Sequence, residues 1–237
     1  MKTFGIIIIG DEILSGKRQD KHLSKSIETL NARGLSLSYA HYLGDEPVQI
    51  VDTLKRSFAT FHIVFSFGGI GATPDDYTRQ CAADALGVAL HVHPDAMAAM
   101  KAKPGFELTP NRVKMAEFPI GSSVIPNPYN QIAAFSCNDH HFLPGFPEMA
   151  WPMMEWVLET KYHHLFNQVA FAEETIIIHE AGGERSDRRD ESYRQRLSEH
   201  KTFKPAAAFT DGEDYRVVNS RRPGRGAGGD ASDATRS

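Results

Sequence analysis

One stretch of the chain combines a glycine-rich turn with two adjacent carboxylates. Residues 68–78 read G-G-I-G-A-T-P-D-D-Y-T and follow an apolar run at residues 61–67. Gly68, Gly69 and Gly71 carry no Cβ, so nothing separates their backbone amides from an approaching anion. We call residues 68–78 the glycine loop, and we predict that its amides hold a phosphate of a ligand.

The carboxylates in the glycine loop have two possible roles. Asp75 and Asp76 would repel a phosphate unless a cation lay between them, and Mg²⁺ is commonly held by one or two carboxylates plus substrate phosphates. Alternatively, Thr73 and Pro74 are typical of a helix start, and Thr73 with Asp76 three residues later resembles a capping box. The loop residues alone support helix capping and ligand binding about equally.

Two further loops carry acids directly after predicted strands. Asp11 and Glu12 follow Gly10 after the first strand, and Asp45 follows the second. In parallel sheets, ligands bind beyond the carboxyl ends of the strands. Acids at three loops on one edge favour a shared cation site over three separate helix caps.

The spacing of apolar residues predicts the elements that position these loops. Strands within residues 1–9, 35–43 and 61–67 alternate with helices, and we expect the third helix to begin at Thr73 and Pro74. This alternation predicts an α/β fold with a mostly parallel sheet and helices on both faces. Short strands between residues 124 and 143 predict a β-rich excursion. The Met- and Trp-rich helix that follows is typical of a core or a subunit interface.

Composition limits the classes of partner. The 237 residues carry a net charge of -4 with 41% hydrophobic and 24% charged residues, which is ordinary for a globular protein. This charge gives no general attraction to nucleic acid or to an acidic membrane, so we expect a small phosphate-bearing ligand.

The apolar start is too short for a signal peptide and no later segment has the length of a membrane span, so we expect a cytoplasmic protein. The paired histidines lack metal-ligand spacing, and we predict surface positions for them.

The composition changes after Gly182. Residues 182–237 hold 10 of the 15 arginines, no isoleucine and one leucine, so they cannot bury enough apolar surface to offset their ordering entropy. We predict a disordered or aberrant tail there, after the start of a small, incomplete subdomain at residues 166–181. A reading-frame change or truncation would explain that composition. An Arg-rich tail that binds nucleic acid is disfavoured because acidic residues are interleaved with the arginines.

The loops together resemble the MoaB/Mog domain of molybdenum-cofactor biosynthesis, in the branch that forms the N-terminal half of competence/damage-inducible protein A. That branch carries a G-D-E-[IL]-L loop, matched at residues 10–14, and a G-G-[LI]-G-x-T-x-D-D-x-T loop, matched by the glycine loop. Asn127 with Pro128 resembles the family's asparagine turn, and residues 143–149 resemble its P-G-x-P-x-M segment. The resemblance covers roughly residues 1–160. The sequence departs from it at Ala72, where the family usually has proline, and near His22, where asparagine is frequent.

This resemblance implies a three-layer α/β/α domain at residues 1–165, usually a homo-oligomer (dimer or trimer), that binds molybdopterin or a related pterin phosphate or nucleotide. The family's nucleotide chemistry implies catalytic roles for Asp45 and Asp76, with Mg²⁺ held by Asp11, Asp45, Asp75 and Asp76. The implied ligand-binding residues are Gly10, Asp11, Glu12, Gly68, Gly69, Gly71, Thr73, Thr78, Asn127, Pro144 and Gly145.

Whether the domain is an enzyme stays open on the sequence alone. The first hypothesis is a molybdopterin- or nucleotide-binding protein. The first alternative is a Mg²⁺-dependent pyrophosphatase that acts on a dinucleotide such as ADP-ribose, which the competence-protein branch also allows. The second alternative is a non-catalytic oligomer whose glycine loop is a relic.

Overall fold

Secondary structure alternates along the chain as the apolar spacing predicts. The structure, a computed structural model, describes residues 2–103, 105, 107–166, 171–179 and 215–223. Its elements in chain order are β1 (Phe4–Ile9), α1 (Asp11–Leu14), α2 (His22–Asn31), β2 (Leu37–Leu43), α3 (Pro47–Phe58), β3 (Ile63–Phe67), α4 (Thr78–Leu86), β4 (Leu90–Val92), α5 (Pro94–Ala102), α6 (Pro110–Lys114), β5 (Glu117–Pro119), β6 (Ser123–Ile125), β7 (Ala134–Cys137), β8 (His140–Leu143), α7 (Pro147–Lys161), a 3-10 turn (His163–Leu165), β9 (Phe171–His179) and β10 (Tyr215–Pro223).

A six-stranded sheet of order β2-β1-β3-β8-β7-β6 is the centre of the first structural unit, Met1–Phe166. The four strands β2, β1, β3 and β8 run parallel, whereas β7 and β6 are antiparallel to their neighbours. All six residues of β1 and all five of β3 are buried, as expected for central strands of a parallel sheet. The mostly parallel sheet predicted from the sequence is confirmed.

Helices cover both faces of the sheet. Helix α3 packs against α4, and α2 packs against α7. Consecutive residues of β8 point to opposite faces. His140 bonds to Ser57 of α3, whereas His141 bonds to Tyr162, the residue that follows α7. The two helix pairs therefore lie on opposite faces, which makes a three-layer α/β/α domain. None of the helices in the described residues is long and apolar enough to cross a membrane.

The structure differs from the sequence-based expectations in two segments after residue 120: the short strands and the predicted tail. The short strands predicted as a β-rich excursion belong to the central sheet, because β8 pairs with β3 and extends it. In the second unit, Asn167–Ser237, β9 pairs antiparallel with β10, so residues 215–223 of the predicted tail form a strand whose backbone groups are paired with β9. The other tail residues lie outside the described part, and the domain boundaries stay predictions.

The predicted surface position of the paired histidines is wrong for the pair in β8. His140 and His141 are 0% and 1% exposed, and both rings are fully hydrogen-bonded. His141 lies between Ser136 Oγ and the Tyr162 hydroxyl at 2.7 and 2.8 Å. Burial lowers the pKa of His140 to about 4 and that of His141 to about 3. Both rings are therefore neutral in the folded protein at pH 7.

These lowered pKa values predict acid sensitivity. The unfolded histidines titrate near 6.5, so the stabilisation is fully present above that pH and is lost as pH falls towards the folded pKa values. We expect the free energy of unfolding in urea to fall between pH 7 and 5 by on the order of 2 kcal/mol for each histidine. His140→Gln should reduce this loss, and His164→Gln, at an exposed position, should not. An unchanged pH dependence in His140→Gln would contradict the assignment.

Candidate functional site

The three acid-bearing loops lie side by side. Strands β2, β1 and β3 are adjacent and parallel, so the loops that follow them leave the same edge of the sheet. The Gly10 amide donates to the Leu43 carbonyl at 3.0 Å, which holds the first two loops together. Asp11 and Asp45 then bond reciprocally: each carboxylate accepts the other residue's backbone N–H, at 3.2 and 2.9 Å. The structure thus joins loops that are 34 residues apart in sequence.

A cavity of about 610 Å³ opens above this edge of the sheet. It lies within the size range of small-molecule sites, which is roughly 300–1,000 Å³. Most of the predicted ligand-binding and metal residues line it: Gly10, Glu12, Asp45, Gly68, Gly69, Gly71, Thr73, Asp75, Asp76, Asn127, Pro144 and Gly145. Asp11 faces a second depression that shares Glu12, Asp45 and Asp75 with the cavity. Thr78, the last residue of the glycine loop, is fully buried and does not line the cavity.

The expected helix start at Thr73 and Pro74 is wrong. Helix α4 begins at Thr78, whose amide donates to the Gly69 carbonyl at 3.0 Å; residues 71–75 form bends and turns, and residues 76 and 77 have no regular secondary structure. Asp76 accepts the Thr73 amide at 2.7 Å and also the Thr73 hydroxyl. The contact expected of a capping box therefore forms, but it closes a turn rather than capping a helix. Because the helix begins five residues later than expected, Asp75 and Asp76 both lie before it rather than in its first turn.

Consecutive backbone amides of the glycine loop are available to a ligand. Within the part of the chain that the structure describes, the amides of residues 69–72 donate no hydrogen bond to another group. All four of these residues line the cavity. Successive N–H groups in a turn form an anion-binding concavity, so this geometry suits a phosphate.

The cavity wall beside these amides is acidic. Partial burial is the main cause of a raised pKa at Asp45, and the negative charges of Asp11, Glu12 and Asp75 raise it further. The amide of Asp11 acts in the opposite direction, because it donates to the charged form of Asp45. A cation at this position would relieve the repulsion between the carboxylates.

The four predicted metal ligands do not form one group. Asp11 and Asp45 bond to each other's backbone, and Asp76 is directed to Thr73. No cluster of three or more His, Cys, Asp or Glu side chains suited to a metal occurs among the described residues. The donor chemistry nevertheless fits Mg²⁺, a cation that takes oxygen ligands and commonly needs only one or two carboxylates when phosphates supply the rest.

Asn127 bonds within its own turn. Its carboxamide donates to the Ile132 carbonyl and accepts the Tyr129 amide, both at 3.0 Å. It lines the cavity, but these contacts assign its side chain to holding the turn. The sequence indicated Asn127 only through its resemblance to the family's asparagine turn. The hydrogen bonds within that turn could not be predicted from the sequence.

Two buried residues that contact the cavity wall were not predicted as site residues. His22 is 5% exposed, stacks on Phe67 with ring centroids 4.4 Å apart, and lies with Nε2 3.2 Å from the Gly145 carbonyl oxygen. Burial is the main cause of its lowered pKa. Arg79 is 7% exposed and donates to the Gly71 carbonyl. The departure from the family's asparagine near His22 was the available signal for that residue, whereas nothing in the local sequence marked Arg79.

Comparison with known proteins agrees with this geometry. Residues 5–164 match the family model described as "Probable molybdopterin binding domain". The chain belongs to this family. The resemblance to MoaB/Mog domains is thereby confirmed, and the glycine loop and its cavity lie within the matched molybdopterin-binding domain.

The relatives of this domain include proteins named CinA-like. One from Syntrophotalea carbinolica is 30% identical over 164 residues, which is 66% of this chain and 40% of that protein. Another, from Koribacter versatilis, is 32% identical over 125 residues, 52% of this chain and 30% of that protein. The chain thus spans less than half the length of these two relatives. The solved structure of a CinA protein of unknown function from Thermoplasma acidophilum covers 67% of this chain and 98% of its own, with a TM-score of 0.61 and 27% identity.

Gly69 provides a test of the loop geometry. A Cβ on Gly69 would lie 2.1 Å from Thr78 Oγ1, whereas Gly87 has the same φ of 68° and no neighbour within 4 Å of a built Cβ. Gly87→Ala should therefore lose only about 1 kcal/mol of unfolding free energy, from left-handed strain. Gly69→Ala should lose about 1–3 kcal/mol more, because overpacking adds to that strain. Urea unfolding measures both, and equal losses would contradict the close approach of Gly69 to Thr78.

Proposed function

We propose that this domain binds molybdopterin or a related nucleotide, with a ligand phosphate held by the amides of residues 69–72. The observation that carries the proposal is a run of four cavity-lining residues, 69–72, whose amides have no partner in the described part of the chain. Small ligands bind in such cavities at the carboxyl edge of parallel sheets. Membership of the molybdopterin-binding domain family supports this class of ligand.

We propose further that Mg²⁺ accompanies the phosphate. Asp45 and Asp75 would hold the ion, because both line the cavity near these amides. The charged form of Asp45 is also repelled by its acidic neighbours, and a cation would relieve that repulsion. When bound, the ion neutralises negative charge on phosphate oxygens. Asp11 supports Asp45 through the reciprocal bonds, and Asp76 shapes the loop through Thr73.

A Mg²⁺-dependent pyrophosphatase acting on a dinucleotide such as ADP-ribose is the second candidate. The acidic wall next to the amides favours it, since a metal held there would lie beside a bound pyrophosphate.

The third possibility is a binding domain without catalysis that assembles as a homo-oligomer. The Met- and Trp-rich α7 buries Met153 and Met154 in the domain core, while Trp156 is 37% exposed.

Incubation with ADP-ribose and Mg²⁺ separates these candidates. Release of AMP, detected by chromatography, would establish the pyrophosphatase. If there is no turnover, thermal unfolding with ATP or molybdopterin tests binding, because a ligand of the folded state raises the melting temperature. Protection without turnover is the outcome we expect for the first proposal. Neither turnover nor protection would leave only the oligomeric binding domain.

Asp45 tests the role of the acidic wall. We expect Asp45→Asn to abolish the Mg²⁺ dependence of ATP binding while leaving urea stability unchanged or slightly raised, because the substitution removes a repelled charge. Asp52→Asn, at an exposed aspartate of α3, is the matched control and should behave like the wild type.

Titration calorimetry with and without Mg²⁺ measures this effect. Retained Mg²⁺ dependence in Asp45→Asn would remove Asp45 from the proposed site. A loss of stability without any change in binding would instead indicate that Asp45 serves only to join the loops.

A further inference from the structure

Arg79 is a buried cation that contacts the glycine loop without lining the cavity. It is the second residue of α4, it is 7% exposed, and its Nη2 donates to the Gly71 carbonyl at 2.6 Å. Gly71 and Ala72 line the cavity, whereas Arg79 does not. Arg79 therefore contacts a cavity-lining segment of the loop without lining the cavity itself.

The bond from Arg79 fixes the direction of an amide. A trans peptide unit is planar, so the carbonyl of Gly71 and the N–H of Ala72 point in opposite directions. Because the carbonyl is directed to the buried guanidinium, the N–H of Ala72 points away from it, and Ala72 itself lines the cavity. The Ala72 amide is one of those without a partner in the described chain.

The position of Arg79 is electrostatically unfavourable for a residue with only a packing role. A cation in the first turn of a helix opposes the helix dipole. Burial is the main cause of a lowered pKa at Arg79, opposed by the negative charges of Asp76 and Glu117, and guanidinium groups in proteins stay protonated. Its Nε is buried without a hydrogen-bond partner among the described residues. These unfavourable contributions would be offset by an anion bound at the glycine loop.

We propose that Arg79 is a positioning residue of the phosphate subsite, which orients the Ala72 amide towards the ligand and supplies a positive charge that offsets Asp76. The electrostatic part rests on the proposed phosphate binding. The orientation of the loop does not, because Arg79 bonds to Gly71 without any ligand.

Three variants separate geometry from charge. Arg79→Met removes both the charge and the bond to Gly71, and Arg79→Lys keeps the charge but loses the planar fork. Arg33→Met is the matched control, because Arg33 also donates to a backbone carbonyl, that of Thr29 at 2.9 Å, and pairs with Glu159. Arg33 does not line the cavity.

The first measurement needs no ligand. Backbone ¹⁵N relaxation should give an order parameter at Ala72 near that of rigid backbone, about 0.85, in the wild type and Arg33→Met, and below about 0.6 in Arg79→Met. Arg79→Lys should also lower it. An unchanged order parameter at Ala72 in both Arg79 variants would overturn the positioning role.

The second measurement is calorimetric affinity for ATP, with adenosine as the probe that lacks phosphate. Arg79→Met should bind ATP about tenfold more weakly or worse and adenosine equally well, and Arg79→Lys should fall in between. Wild-type ATP affinity in Arg79→Met would overturn the electrostatic role. If the wild type binds neither ATP nor adenosine, the proposed function loses its support, while the relaxation result still decides the role of Arg79 in the loop.

Discussion

Gly68 has no room for a side chain, and the site is built around that constraint. A Cβ on Gly68 would lie 2.2 Å from the Ile9 carbonyl oxygen, and one on Gly145 would lie 3.5 Å from Gly68 Cα. The ends of β1, β3 and β8 therefore converge at van der Waals distance. This convergence holds three loops at one edge of the sheet, and the fully buried strands β1 and β3 keep it rigid.

Groups that attract cations and groups that attract anions lie close together at this edge of the sheet. Carboxylates from all three loops lie near amides that have no partner in the described chain and that attract anions, and the buried guanidinium of Arg79 contacts the same loop. Neither an anion nor a cation alone would satisfy this arrangement, since each would be repelled by part of it. A metal-bound phosphate carries both signs of charge in one ligand. This complementarity is the physical reason for proposing that the acids and the glycines of one motif serve a single kind of ligand.

Much of the fold and of the candidate site could be predicted from the sequence. The predictions that were wrong or missing have physical causes. Local periodicity located β1 and β3, and the edge rule for parallel sheets placed Asp11, Asp45 and the glycine loop together. The start of α4 was misplaced because Thr73 and Asp76 make the same local bond in a turn as in a helix cap. The pairing of β8 with β3 joins residues more than 70 positions apart, so local patterns could not reveal it. Arg79 was not predicted as a site residue for the same reason, because its contact with the Gly71 carbonyl depends on the three-dimensional path of the loop.

Buried polar atoms without partners show where the domain departs from a purely stabilising design. Among the described residues, such atoms near the glycine loop belong to His22, Ser66, Thr78 and Arg79. An unsatisfied buried polar group destabilises a fold by about 1–3 kcal/mol. Hydrophobic packing of β1 and β3 must offset these contributions, because the amides of residues 69–72 also have no partner in the described chain. Internal hydrogen bonds, from Thr73 to Asp76 and from the Thr78 amide to the Gly69 carbonyl, close the loop and still leave the amides of residues 69–72 without a partner in the described chain.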